Sequence, residues 1–355
     1  MPFSPPSSSA ESPFGDEFFL AADVGGTHAR IGLVRSARDS ACPVELVHSD
    51  RYACAQWPGL ADILEAFIAT LAETAWHGAR PTSCVLACAG FVQDDQVVNY
   101  NLPWPVPISA TRARMGMRQL AVINDFEALA HAVPYVNKAG MRALMDGDGA
   151  SGGLAAGPIV VMGPGTGLGC AAILPDDPQP RVLSTEAAHI ALAPGTPREM
   201  EILRVLASEH PHVPVEHAVS GPGLLKLYRA ISTLQGQPAT LGTPASVTAS
   251  ALDNSSPAAL EALQMFCALL GSFAADLAAL YAASGGIMLA GGILPQIEEF
   301  LWQSEFKARF LRKGVMTPFL QRVPVHLIDH GELGVIGAAC WLAGQDLHAK
   351  PAALT

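Results

Sequence analysis

The chain has 355 residues, which at roughly 150 residues per domain suffices for two domains with separate cores and excludes a peptide hormone or a small disulfide scaffold. Apolar residues make up 50% and charged residues 15%, with 33 Gly and 28 Pro, the composition of a globular protein with many loops. The 21 Lys and Arg against 32 Asp and Glu give a net charge of −11, which repels phosphate backbones and anionic lipid and argues against nucleic-acid and membrane partners.

Residues 1–17, rich in Ser and Pro and without Lys or Arg, read as a disordered tail. Phe18 to Val24 and Ile31 to Val34 are apolar runs separated by Gly25-Gly26, which predicts two strands joined by a tight turn. From Pro58, the positions Leu60, Ile63, Leu64, Phe67, Ile68 and Leu71 recur at helical spacing, with Pro58 suited to the first turn. Buried strands are expected at 84–90 and 120–124, the second running into Asp125 and a helical FEALAHAV segment. A glycine-rich loop at 145–157 precedes a strand Pro158–Met162 and a second glycine turn at 163–169. A long helix around 257–283, strands at Gly286–Ala290 and Val325–Ile328, and a helix after Gly334 complete an alternation that predicts an α/β protein. Glu261, Gln264 and Asp276 interrupt the long helix as a membrane span. No repeat of 20 to 50 residues is visible, but two strand-glycine-turn units leave duplicated half-domains open.

Seven Cys at 42, 54, 84, 88, 170, 267 and 340 form no CxxC pair, so neither a zinc nor a disulfide framework is expected and a reducing cytoplasm fits best. Asp23-Val24-Gly25-Gly26-Thr27 sets a carboxylate, two residues without side chains and a hydroxyl at a strand end, where backbone N–H groups can approach a polyphosphate and Asp23 can orient hydrated Mg²⁺. Alone, it reads equally well as a ligand-free hairpin turn. Gly163-Pro164-Gly165-Thr166-Gly167-Leu168-Gly169 is a second loop of the same kind. Neither is a Walker loop, since the chain lacks a Gly-Lys pair, and Leu168 stands where a dinucleotide fingerprint needs Gly. Two Gly-Thr loops clamping one nucleotide is the arrangement of the actin-like ATPase and sugar kinase superfamily. Asp125, between a strand and a helix, reads either as a general base or as an ordinary helix N-cap.

ADVGGTHAR at 22–30, INDF at 123–126, GPGTGLG at 163–169, TEAAH at 185–189, VEHAVSGPGLLKLYRAI at 215–231 and LAGGILP at 289–295 closely resemble, in order and spacing, the bacterial glucokinase family, from about Phe18 to Gly344. The resemblance implies a two-domain actin-like ATPase (ribonuclease H-like) α/β fold with the active site in the interdomain cleft. A small domain would span 18–135 plus 330–355 and a large one 136–329. It implies ATP-dependent phosphorylation of D-glucose to glucose 6-phosphate, with ATP and Mg²⁺ as cofactors, a cytoplasmic location and a homodimer. Asp125 would be the catalytic base, and Asn124, Glu186, His189, Glu216 and Asn101 would bind the sugar. Ala22, Asp23, Val24, Gly25, Gly26, Thr27, Gly165, Thr166, Gly167 and Gly292 would hold the nucleotide, with Asp23 as metal ligand. The chain departs from the family at His28, where Asn is usual, and at Ala187-Ala188, where two glycines are usual. The added methyls predict a tighter or displaced sugar pocket. Alternatives are a kinase for another hexose and a sugar-sensing regulator without turnover.

Overall fold

Strand β1 (Phe18–Val24) is apolar on both faces until Asp23, so it has to be covered from both sides. In a computed structural model that describes residues 18–37, 42–99, 102–137, 140–147, 156–175, 180–329 and 331–348, it is the middle strand of a five-stranded sheet. The chain divides into two units, Met1–Tyr135 with Gly331–Thr355, and Val136–His330.

In the first unit β1 pairs antiparallel with β2 (His28–Ser36), which pairs antiparallel with β3 (Val44–Ala53). After helix α1 (Leu60–Thr70) come β4 (Ser83–Cys88), a small sheet of β5 (Phe91–Gln93), β6 (Gln96–Val98) and β7 (Val106–Pro107), and α2 (Ile108–Arg114). Strand β8 (Gln119–Ile123) and helix α3 (Asp125–Ala132) follow. The main sheet runs β3-β2-β1-β4-β8, and β4 lies parallel to both β1 and β8. Alternation along β1 divides its side chains as strand geometry requires. Leu20 and Ala22 join Leu60, Ile63, Leu64 and Phe67 of α1 in one buried cluster. Phe19 and Ala21 join Ala128 of α3 in another. Helix α1 begins after an extended Gly59, so Pro58 lies outside the first turn where it was expected.

The second unit opens on β9 (Met141–Met145) and continues with β10 (Ile159–Pro164), β11 (Leu168–Leu174) and β12 (Arg181–Thr185). Helices α4 (Pro197–Glu209), α5 (Gly221–Leu234), α6 (Pro244–Leu252) and α7 (Pro257–Leu280) come next. Strand β13 (Gly286–Leu289), the short helices α8 (Glu298–Gln303), α9 (Phe306–Leu311) and α10 (Thr317–Leu320), and β14 (Val325–Ile328) complete it. Its sheet runs β12-β11-β10-β13-β14-β9. Strands β12, β11 and β10 are antiparallel neighbours, and β13 lies parallel to β10 and β14. This repeats the order and sense of the first sheet with β9 added at the edge, so the duplication that direct sequence comparison left open is present in the topology.

The chain returns to the first unit in α11 (Leu333–His348), whose Val335, Ala338 and Ala339 cover the β1 face that α3 also covers. Gly337 permits this packing, since a Cβ there would lie 1.7 Å from the carbonyl oxygen of Ala128. The tail and most of the expected 145–157 loop lie outside the described residues. An 18-residue window of α7 reaches a mean hydropathy of 1.7, so its three polar residues do not exclude a span by composition as expected. Two thirds of that window is buried against the second unit's core, which gives its apolarity an ordinary cause.

Burial of His131 on α3 pushes its pKa down from 6.5 to about 4. The unfolded chain takes up this proton as pH falls through 6.5, while the folded one resists to about 4, so stability is lost across that window. The difference corresponds to about 3 kcal/mol at most. Thermal denaturation between pH 7 and 4.5 should show Tm falling, with a shallower fall in His131→Gln; equal slopes would remove His131 as the cause.

Candidate active site

The carboxyl ends of the parallel strands β1, β4 and β8 lie side by side, the usual place for ligands in open α/β sheets. They present Asp23, Cys88 and the Asn124-Asp125 pair, all in the first unit. Asp23 points to the α11 face, where Gly334 leaves room for it; a Cβ at 334 would lie 2.6 Å from Asp23 Oδ2. Burial, and secondarily the charge of Asp125, push the pKa of half-buried Asp23 up to about 6, while Arg30 opposes them from the paired position on β2. Burial likewise pushes Cys88, which feels both carboxylates, to about 12, so this thiol is neutral. Arg30 Nη1 lies 3.7 Å from Glu332, which also accepts a 2.8 Å hydrogen bond from Ser49 Oγ.

The turn after β1 is closed by Gly25 N donating to His28 O at 2.9 Å. It is braced by Cys54, whose amide donates to Thr27 O and whose thiol donates to Gly25 O. Buried Trp104 donates its Nε1 to Cys54 O at 3.1 Å. Ala22 and Val24 are buried and offer a ligand only backbone, while Thr27 is exposed.

Two readings of Asp125 were open, and the helix cap belongs to its neighbour. Asn124 Oδ1 accepts from Phe126 N at 2.8 Å and Glu127 N at 3.2 Å, which makes Asn124 the N-cap of α3 and places Asp125 at its first helical position. Asp125 Oδ1 accepts from Phe126 N at 3.0 Å. Asn101 lies outside the described residues.

In the second unit the glycine loop joins β10 to β11. Its glycines have different work. Gly163 packs against β13, where a Cβ would lie 1.9 Å from Ala290 O, whereas a Cβ at Gly165 or Gly292 would meet nothing within 4 Å. Gly165 N donates to Gly167 O at 2.7 Å and Leu168 N to Glu216 Oε2 at 2.8 Å. The amides of Thr166 and Gly167 have no acceptor among the described residues. A cavity of about 740 Å³ bounded by Leu252, Pro295, Glu298, Glu299 and Trp302 lies just beyond Gly292 in the chain.

Glu186 and His189 flank a 3₁₀ turn, with Oε2 and Nε2 3.7 Å apart and both side chains mostly exposed. A second 3₁₀ turn, Val215–His217, carries Glu216. The two segments are joined by Val215 N donating to Ile190 O at 3.0 Å, Leu192 N donating to Val213 O at 2.9 Å, and an Ala191–Pro214 bridge. Ala187 and Ala188 lie in the first turn with negative φ and their methyls in the core. The left-handed backbone that glycine would permit is not used, so these two alanines do not strain the turn. No cluster of three or more metal-ligating side chains occurs among the described residues.

The expected site residues thus fall into two groups, Ala22–Thr27 with Asn124 and Asp125, and Gly165–Gly167 with Glu186, His189, Glu216 and Gly292. Sequence reasoning missed Arg30, Cys54 and Gly334. Only Gly334 had a local signal, the Gly-x-x-Gly spacing to Gly337 that lets a helix approach closely.

A model of the glucokinase family, described as Glucokinase, matches residues 20–345. The chain belongs to the glucokinase family. It is 42% identical over 324 residues to a glucokinase-like protein of Xylella fastidiosa, covering 91% of this chain and 94% of that one. The crystal structure of a glucokinase from an Antarctic psychrotroph matches with a TM-score of 0.79 at 35% identity, over 92% of this chain and 99% of that one. A ROK family glucokinase of Streptomyces griseus, crystallised with glucose and AMPPNP, matches with a TM-score of 0.58 at 20% identity over 92% and 99% of the two chains, a likeness of fold alone. The fold is the actin-like ATPase fold of glucokinases and ROK kinases.

Proposed function

We propose that this glucokinase-family chain transfers the γ-phosphoryl group of ATP to the 6-hydroxyl of D-glucose. The observation that carries the reading is Asp125, a carboxylate at the carboxyl end of β8 whose helix is already capped by Asn124. A carboxylate at this position, on a helix whose cap its neighbour supplies, is suited to accept the hydroxyl proton as the oxygen attacks phosphorus. Asn124, Glu186, His189 and Glu216 supply the donors and acceptors that fix sugar hydroxyls. The Thr166 and Gly167 amides, with the Gly25–Thr27 turn, offer N–H groups to phosphate oxygens. The open space at Gly165 and Gly292 suits close approach of phosphate to backbone.

Asp23 fits a Mg²⁺ ion. Burial and the neighbouring Asp125 charge disfavour its ionised form, a cost that a divalent cation offsets, and Mg²⁺ is commonly held by one or two carboxylates with substrate phosphates and water. Bound there, the ion would neutralise phosphate charge that spreads during transfer. Gly334→Ala would push the Asp23 carboxylate aside. It should lower kcat about tenfold, roughly 1.4 kcal/mol of barrier, with Tm little changed; an unaltered kcat would count against Asp23.

The deciding assay is glucose-dependent formation of glucose 6-phosphate by the purified protein with Mg-ATP. Turnover on glucose above other hexoses is expected. Calorimetric glucose binding without turnover would move the protein to the sensor class, and preferred turnover of another hexose would change the substrate. A cytoplasmic location and a homodimer complete the reading; light scattering that gives a 37.0 kDa species would remove the dimer.

A further inference from the structure

The carboxylate of Glu216 has one oxygen in the phosphate loop. Its Oε2 accepts the Leu168 amide at 2.8 Å, and a Cβ on Gly167 would lie 2.6 Å from the same oxygen. The Glu216 side chain therefore occupies the space that a side chain at 167 would need. The backbone behind it is held as well: Ser220 Oγ donates to Glu216 O at 2.8 Å and accepts from Gly223 N at 2.9 Å. Five residues on from Glu216, Gly221 N donates to Gly165 O at 2.9 Å. One short segment, 216–221, thus grips the loop at both ends, by a carboxylate at Leu168 and by an amide at Gly165. The amides of Thr166 and Gly167 lie between these two points.

We propose that Glu216 is a positioning residue for the nucleotide: it holds the 165–168 loop in its phosphate-binding shape before any ligand arrives. This rests on the kinase reading above and adds to the sugar-binding role expected for Glu216. A loop with glycine at 165 and 167 samples many backbone states. Fixing it in advance removes an ordering cost that nucleotide binding would otherwise carry. The second oxygen, Oε1, remains to accept from a sugar hydroxyl, so one side chain serves both substrates.

The test is calorimetric binding of Mg-AMPPNP in the absence of glucose, with Tm measured on each variant. Glu216→Ala should weaken AMPPNP binding about tenfold or more. Glu216→Gln keeps a carbonyl oxygen for the Leu168 amide and should stay within about twofold of wild type, although both variants raise the KM for glucose. A purely sugar-binding Glu216 would leave AMPPNP affinity unchanged in both variants, and that result overturns the proposal, as does equal weakening in the two. If Glu216→Ala does not fold, Glu216→Asp, one methylene too short to reach Leu168, carries the same expectation. A wild-type chain that binds no AMPPNP would overturn this proposal and the kinase reading together, whereas wild-type binding with an indifferent Glu216→Ala would overturn only the positioning role.

Discussion

Asp125→Asn should lower kcat for glucose phosphorylation by about 10²- to 10⁴-fold, the range contributed by a positioned general base. The amide keeps the shape of the carboxylate and can still accept from Phe126 N, as Asp125 Oδ1 does at 3.0 Å, but it cannot take the hydroxyl proton. Because Asn124 provides the cap, Tm should move by no more than a degree or two and the KM for glucose should change little. Asn124→Ala should behave differently. It removes the acceptor for two helix amides, costs about 1 kcal/mol of stability, and loosens the turn that aims Asp125. Steady-state kinetics with melting curves separates the two, and a kcat for Asp125→Asn near wild type would exclude the base role whatever happened at Asn124.

Strands buried on both faces were the most legible parts of the fold. Strands β1, β10, β13 and β14 are short apolar runs ended by polar or turn residues, and the observed strands coincide with those runs to within two residues. The edge strands β3 and β12 were not read, because their sequences VELVHSDRYA and RVLST are mostly half-buried or exposed and a solvated edge carries no apolar run. Helices α4 to α6 were missed despite a readable signal. Thr196-Pro197, Ser220-Gly221-Pro222 and Thr243-Pro244 each set a capping hydroxyl before a proline in the first turn, as Ser256-Pro257 does for α7. At the candidate site, the residue types were legible and their division of labour was not. That Asn124 caps α3 is a matter of rotamer. That Glu216 reaches Leu168 depends on a contact 48 residues apart in the chain, which no local pattern encodes.

The glycines of the second loop allow a sharper test, because two of them look alike in sequence and differ in surroundings. Gly163 lies on β10 beside β13, where a Cβ would lie 1.9 Å from Ala290 O and 2.4 Å from its carbonyl carbon. Backbone pinned by a parallel ladder cannot yield cheaply, so Gly163→Ala should cost about 3 kcal/mol or more and lower Tm by about 5 °C or more. Gly165→Ala meets no protein atom within 4 Å and needs no left-handed backbone, so its Tm should stay at wild type or rise slightly. If phosphate lies against that backbone, the added methyl occupies the ligand's place, and the KM for ATP should rise about tenfold, roughly 1.4 kcal/mol of lost binding, with the KM for glucose little changed. A neutral Gly165→Ala would mean that the loop's glycine serves the hairpin alone, and the nucleotide would have to be held elsewhere. A Gly165→Ala that lost stability as Gly163→Ala does would show that the open space beside it is filled in solution by protein.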